Sequence, residues 1–343
     1  MRKPWSSVLR FVPILPAVLT AACSGGGGAG AAGSAIMPAA APIQPPDVDN
    51  ATLGSNSPVL AAGNSTIASM QVGTVLPLRQ SIVSTQINSV SPAPNVEAGG
   101  STLTYQGTQT VNGVTGPVFE LKVPNAVSGI DVTLKPDGSS GSNGDYGIIN
   151  GKVVDALNYT MTVAWSADAS DTFEPLFSMG ITGFQTPASN VPSSGQATYL
   201  GDGTAGAKGS VQGLIFTGPP FPYHPPGTIS GSSSTFAVNF GSGQVTGTLS
   251  GLMATPVSAA GVVGTPQNWN QINIIGSLSG AVLSGTTSTP SQSAGSLGFA
   301  ANSTGTIGGA LFGPNAEELG AVWSLRDPAT QNTAFGVVSA TKQ

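Results

Sequence analysis

Wherever apolar and polar positions alternate clearly in this chain, the period is two, which predicts strands rather than helices. Tyr159-Thr160-Met161-Thr162-Val163-Ala164-Trp165 alternates best. Thr102–Tyr105, Val118–Val123 and Ile130–Leu134 are short β-branched or aromatic runs of the same kind. Asn112-Gly113, Asp137-Gly138 and Asn150-Gly151 punctuate them and read as turns, because these residue types tolerate the left-handed backbone of tight hairpins. Beyond Gly195 the strand signals come at regular spacing. The candidates are Ala197–Leu200, Thr235–Phe240, Gln244–Leu249, Ile272–Leu278, Ala281–Thr287, Gly305–Phe312, Ala321–Arg326 and Thr333–Ala340. The text G-x-[Ile/Leu]-Ser-Gly recurs at Gly227–Gly231, Gly247–Gly251 and Gly276–Gly280. Repeated glycine suits the corners of a small closed barrel, and closure removes exposed strand edges. Asn315–Leu319 has room for at most one helical turn. The expected fold is all-β: a β-rich handle domain over 59–192, then an eight-stranded antiparallel barrel over 193–343.

Composition narrows the function. Charged residues make up 7 % of the 343, against about 25 % in an ordinary protein. The excess lies in small residues, including 48 Gly, and not in the charged residues of a disordered acidic or basic chain. No basic stripe exists to track a phosphate backbone, so nucleic acid is not an expected partner. One Cys and one His leave no intramolecular disulfide, no His/Cys metal centre and no Cys–His nucleophile. A Ser–His–Asp triad would have to use His224, and no G-x-S-x-G elbow accompanies it. Glu317-Glu318 are adjacent carboxylates whose side chains diverge, which argues against paired acid/base work. Asp168, Asp171 and Glu174 have the chemistry to hold a hard cation, but read more simply as a solvated acidic loop. Asn64, Asn158 and Asn302 sit in N-x-S/T sequons that a Ser/Thr-rich chain produces by chance. No catalytic residue, metal site or cofactor is expected.

The N-terminus carries its own signals. Arg2 and Lys3 precede a compact apolar stretch, Phe11–Leu19, and then Leu19-Thr20-Ala21-Ala22-Cys23. Small residues before a single Cys resemble the bacterial lipobox, although Leu19 stands one position earlier than usual. Residues 1–22 therefore read as a lipoprotein signal peptide, with Cys23 the lipidated residue after cleavage. Three of the ten basic residues precede Cys23, so the remainder has seven basic against fifteen acidic residues, a net charge of −8. Residues 23–58 read as lipid anchor and flexible Gly/Ala/Pro tether, whose r.m.s. span is roughly 30 Å. Ser24 after the Cys is compatible with the outer membrane. A transmembrane barrel is the structural rival, but it calls for longer strands and aromatic girdles.

Gly308-Gly309-Ala310-Leu311-Phe312-Gly313-Pro314-Asn315-Ala316-Glu317-Glu318-Leu319-Gly320-Ala321-Val322-Trp323 resembles the last hairpin of the transferrin-binding protein B barrel. Thr235–Phe240 with Val245–Leu249, Ser194–Gly201, and Leu157–Trp165 resemble other strands of that family. The resemblance covers roughly 155–343 and implies a single lobe of handle plus barrel. It implies an extracellular ligand, with iron or haem acquisition as one version, and an outer-membrane receptor and a lipoprotein translocator as partners. Phe312 and Trp323 are expected as apolar plugs at strand ends, and Ala316-Glu317-Glu318 as a cap on the barrel. His224, in Phe221-Pro222-Tyr223-His224-Pro225-Pro226, is a candidate haem contact, since imidazole is the usual axial donor. An ordinary loop histidine is the simpler account. The chain is thus expected to be a surface-exposed outer-membrane lipoprotein that binds through barrel-end loops and the handle face. The alternative is an adhesin or structural envelope lipoprotein with no small ligand.

Overall fold

A computed structural model describes residues 66–84, 95–96, 101–124, 130–139, 146–169, 176–201, 208–217, 227–258, 261–293 and 297–343. Cys23, the tether, His224, Asn64, Asp171 and Glu174 lie outside these residues. The strands are β1 (Val75–Pro77), β2 (Arg79–Ser84), β3 (Asn95–Val96), β4 (Thr102–Val111), β5 (Val114–Val123), β6 (Ile130–Leu134), β7 (Tyr146–Ala156), β8 (Thr160–Ala169) and β9 (Leu176–Gly183). They continue as β10 (Gln196–Leu200), β11 (Val211–Phe216), β12 (Gly227–Asn239), β13 (Gln244–Pro256) and β14 (Gln267–Asn268). The last five are β15 (Ile272–Ser279), β16 (Val282–Ser288), β17 (Thr304–Phe312), β18 (Glu318–Arg326) and β19 (Thr333–Lys342). The described helical residues are two single 3-10 turns, Ile67–Ser69 and Ala188–Asn190.

The strands before Gly183 form two antiparallel sheets, ordered β1-β4-β5-β6 and β3-β2-β9-β8-β7. They share a core of Leu103, Phe119, Leu121, Val132, Leu134, Ile149, Met161, Val163 and Trp165. β6 alternates buried and exposed residue by residue, as a strand with one wet face must. Inside this core Gln80 is fully buried and its polar atoms are satisfied: Trp165 Nε1 and Ser178 Oγ donate to its Oε1 at 2.8 and 2.9 Å. Its own Nε2 donates to Ser101 Oγ at 3.0 Å.

The strands after Gln196 close into a barrel. The ring runs β12-β13-β15-β16-β17-β18-β19-β11 and back to β12, antiparallel throughout. The eight expected strand positions are all staves of this barrel. The first stave, however, is in two pieces. β10 pairs with the Thr235–Asn239 end of β12, and β11 with its Gly227–Gly231 end, both also bonding β19. The expectation placed only the first piece. β12 and β13 also run well past the expected Thr235 and Leu249, because their uncharged Ser, Thr and Gly residues hide the continuing alternation.

The barrel interior is filled, by Tyr199, Phe236, Val245, Leu249, Ile274, Leu283, Phe299, Ile307, Leu319 and Trp323 among others. Its outward residues on β12, β13, β15 and β16 are mostly Thr, Ser, Asn and Gln. Apolar inside and polar outside is the reverse of a membrane-spanning barrel. No described helix is long and apolar enough to cross a membrane.

Strand β9 is buried along its whole length. Ser178 and Thr182 face the two-sheet core and its backbone, while Phe177, Met179 and Ile181 pack on Phe216, Ala310, Phe312, Val322, Phe335 and Val337 on the barrel's outer face. A strand covered on both faces loses its alternation, which is why Leu176–Gly183 gave no strand signal. Asn150-Gly151, expected as a turn, lies inside β7 instead. A Cβ at Gly151 would meet Trp165 Cβ at 2.7 Å and Leu134 Cδ2 at 2.9 Å, so this glycine makes room for the core. Asn112-Gly113 is the expected hairpin turn, with φ of 51° and 80°.

Candidate ligand-binding surfaces

The hairpin joining β17 to β18 builds one end of the barrel and ties it to the preceding sheets. Gly313 (φ 86°) and Ala316 (φ 59°) both take the left-handed region that reverses the chain. Gly313 N donates to Phe184 O at 2.8 Å, Thr186 N to Leu311 O at 2.9 Å, and Thr186 Oγ1 to Gly313 O at 2.7 Å. Asn190 Nδ2 donates to Pro314 O at 3.0 Å. From the barrel side, the buried Tyr199 hydroxyl donates to Ala316 O at 2.8 Å. Burial and the nearby Glu317 carboxylate push the Tyr199 phenol well up, so it remains a donor.

The two adjacent glutamates diverge, as expected, and each has a structural task. Glu317 accepts from Asn315 N at 2.8 Å and Asn315 Nδ2 at 2.9 Å, which closes the turn. Glu318 is buried, and its two oxygens accept separately from Asn158 N at 2.9 Å and Tyr159 N at 3.0 Å. Burial pushes the Glu318 carboxyl up, and these backbone donors offset only part of that. Asn158 and Tyr159 form the β7–β8 turn, so Glu318 joins barrel to sheets. Asp155, on β7, does the same at a second point, accepting from Ser210 Oγ at 3.0 Å.

Phe312 and Trp323 are not a pair of end plugs. Phe312 faces outward under β9, and Trp323 faces the interior, opposite Ile307. Neighbouring strands put them on opposite faces of the wall. The plug at the other end is Trp269, which sequence reading passed over because it lies outside any strand. Its Nε1 donates to Leu297 O at 2.7 Å, and its ring meets Phe299 edge-on at 5.2 Å and Trp323 at 6.4 Å. Asn270 fixes the same loop, donating to Ser291 O and Phe299 O and accepting from Phe299 N. Asp327 holds the β18–β19 loop. Burial acts to raise it, but backbone donors Ala300, Ala329 and Thr330 together keep its carboxyl below the usual range.

With the interior filled at both ends, the described surfaces open to a ligand lie outside. One is the Trp269 end, where Ser258 and residues 261–268 are exposed and Val262 and Val263 stand out in solvent. The other is an open polar depression on the first sheet, lined by Gln106, Gln109, Glu120, Asp131, Thr133 and Lys135. Beside it Lys122 pairs with Glu120 at 3.2 Å and Asp131 at 3.7 Å. Asp168 is the penultimate residue of β8, with only its backbone described. Asn302 is an exposed turn residue with φ 63°. Among the described residues, no three His, Cys, Asp or Glu converge on a metal-sized site.

Residues 191–342 match the family model for the C-lobe and N-lobe beta barrels of Tf-binding protein B. No curated protein matches the sequence. Among solved structures, a mutant of transferrin binding protein B from Haemophilus parasuis Hp5 is similar at 14 % identity and TM-score 0.40, over 78 % of this chain and 45 % of that one. Isotype 1 transferrin binding protein B from serogroup B Neisseria meningitidis is similar at 17 % identity and TM-score 0.37, over 78 % and 43 %. HpuA from Kingella denitrificans, in complex with human haemoglobin, is similar at 14 % identity and TM-score 0.36, over 82 % and 91 %. The chain therefore spans less than half of the first two structures. The family match and the closed eight-stranded barrel cover the same part of the chain, so residues 191–342 form a barrel like those of transferrin-binding protein B.

Proposed function

We propose that this protein is a surface lipoprotein that captures an extracellular ligand through loops and the exposed face of its first sheet. The observation that carries the reading is the family match laid over a filled barrel: the interior holds side chains, leaving outer surfaces for recognition. The matched family is named for binding Tf, so a protein ligand leads, an iron-bearing one as its specific form, with free haem as the small-molecule version. The reading is one of binding, not catalysis. Cys23 supplies the anchor, the outer membrane is the location, and His224 is the candidate haem contact.

The test is to immobilise the chain and offer transferrin, haemoglobin and free haem in turn. Saturable binding of one of them is expected; no binding of any, nor of other medium components, refutes the reading. For haem, a Soret shift removed by His224→Ala is the expected signature. Anchoring is tested by labelled palmitate, which the parent chain is expected to incorporate and Cys23→Ser is not.

A further inference from the structure

From Gly209 through Ala316 the sequence contains no Asp, Glu, Lys or Arg. About 25 % of an ordinary domain is charged. This stretch supplies barrel strands β11 to β17, so most of the barrel wall is charge-free. The consequence is clearest in one row of outward residues that the register aligns across six strands: Thr198, Ala237, Thr246, Ile275, Thr286 and Thr306. All six are exposed, and Ile275, near the middle of the row, is 66 % exposed. The sheets before Gly183 cover the opposite side of the barrel, where β9 packs on β17, β18 and β19. Among the described residues, nothing covers the uncharged wall.

We propose that this wall is where two copies of the chain pair about a two-fold axis close to Ile275. Two-fold pairing sets each residue near the axis against its own copy, so any charge there meets its like. The chain carries a net charge of −5, and the charged residues lie outside this stretch. The wall is the surface on which two such acidic molecules meet without that repulsion. Threonine methyls and the Ile275 side chain supply the apolar contact. The size is adequate. β12 and β13, of thirteen residues each, run about 43 Å, and β12, β13, β15 and β16 together are about 19 Å wide. With β15 and β16 shorter, at eight and seven residues, that gives up to roughly 650 Å² per copy, the lower end of one partner's share of a specific interface.

The chain's single Cys makes the test direct. With Cys23→Ser as background, I275C is compared under mild oxidation with T115C, an exposed position on the β4–β5 hairpin. A disulfide needs its two Cα atoms within about 7 Å, so only a position near the axis links efficiently. Covalent dimer forming at least about tenfold faster in I275C is expected. In sedimentation equilibrium the Cys23→Ser chain is expected to self-associate as concentration rises. Raising salt from about 50 to about 500 mM should leave that association intact, since no charges hold it. I275K should abolish it. A chain that stays monomeric, association that I275K leaves intact, or equal crosslinking of the two positions overturns the proposal. So does a monomer that is instead retained by anionic lipid vesicles or a neutral polysaccharide, which would assign the wall to that occupant.

Discussion

Replacing Glu318 by alanine tests how the barrel is held to the sheets beside it. The two N–H groups that Glu318 accepts from, on Asn158 and Tyr159, lie in a buried joint. Leaving each unsatisfied costs about 1–3 kcal/mol, so the gross loss is about 2–6 kcal/mol. Removing a buried carboxylate also relieves its desolvation, so the net effect belongs in the lower half of that range. Glu318→Gln keeps one carbonyl acceptor and should lose about 1–3 kcal/mol less than the alanine variant. The assay is urea unfolding followed by tryptophan fluorescence. Trp165 reports the sheets, and Trp269 and Trp323 the barrel. The alanine variant should be destabilised and its transition should split. The pH dependence supplies an independent check. The Glu318 carboxyl is raised on folding, so the folded state holds its proton more tightly than the unfolded state. Its stabilising contribution is therefore full below the ordinary carboxyl range and is lost as pH rises through the raised folded value. Glu318→Gln should flatten that decline. An alanine variant within about 0.5 kcal/mol of the parent, unfolding in a single transition, would refute the reasoning.

Two further perturbations test the two loops that close the far end. Trp269→Ala removes a large buried ring together with its bond to Leu297 O, and should cost about 3–5 kcal/mol by thermal or urea unfolding, with Trp269→Phe recovering part of the loss. Asp327 has a lowered carboxyl, so its contribution is present above the ordinary carboxyl range and is lost as pH falls through the folded value. Asp327→Asn should remove that acid-side loss, and an unchanged stability–pH profile would contradict the role of the backbone donors.

Much of this architecture is legible in the chain because one wet face and one dry face write a period of two. β6 shows it, and so do β12, β13, β15 and β16 from Thr235 onward. β8 is buried on both faces and alternates by residue type alone, with Thr and Ser on one side. Legibility weakens where that contrast fails. β9 is dry on both faces and reads as no strand at all. β11 carries Gly213 within a six-residue run and lies between segments with no periodicity. Asn150-Gly151 has the chemistry of a turn, but the glycine is there because Trp165 leaves no space for a side chain. The family hairpin was readable as a motif. Its meaning was not, because the partners of Glu318 stand some 160 residues earlier in the chain, and only folding brings them together. Trp269 and Asn270 gave no signal beyond an aromatic and an amide in a loop, the usual mark of a polar-tipped plug.

The divided first stave has a consequence for how the molecule assembles. β19 bonds to β10 and β11 as well as to β18, so the ring closes only when the last strand meets the first; Leu200 pairs with Thr341. Contacts this distant in sequence are slow to form, because loop closure must come before the contacts reward it. During synthesis, the two sheets before Gly183 have their strands early, while the barrel sheet keeps two open edges until Thr333–Lys342 emerges. A chain interrupted anywhere before that point is left with an unsealed, aggregation-prone sheet. Strand β19 is therefore the piece that seals the barrel and removes its two open edges.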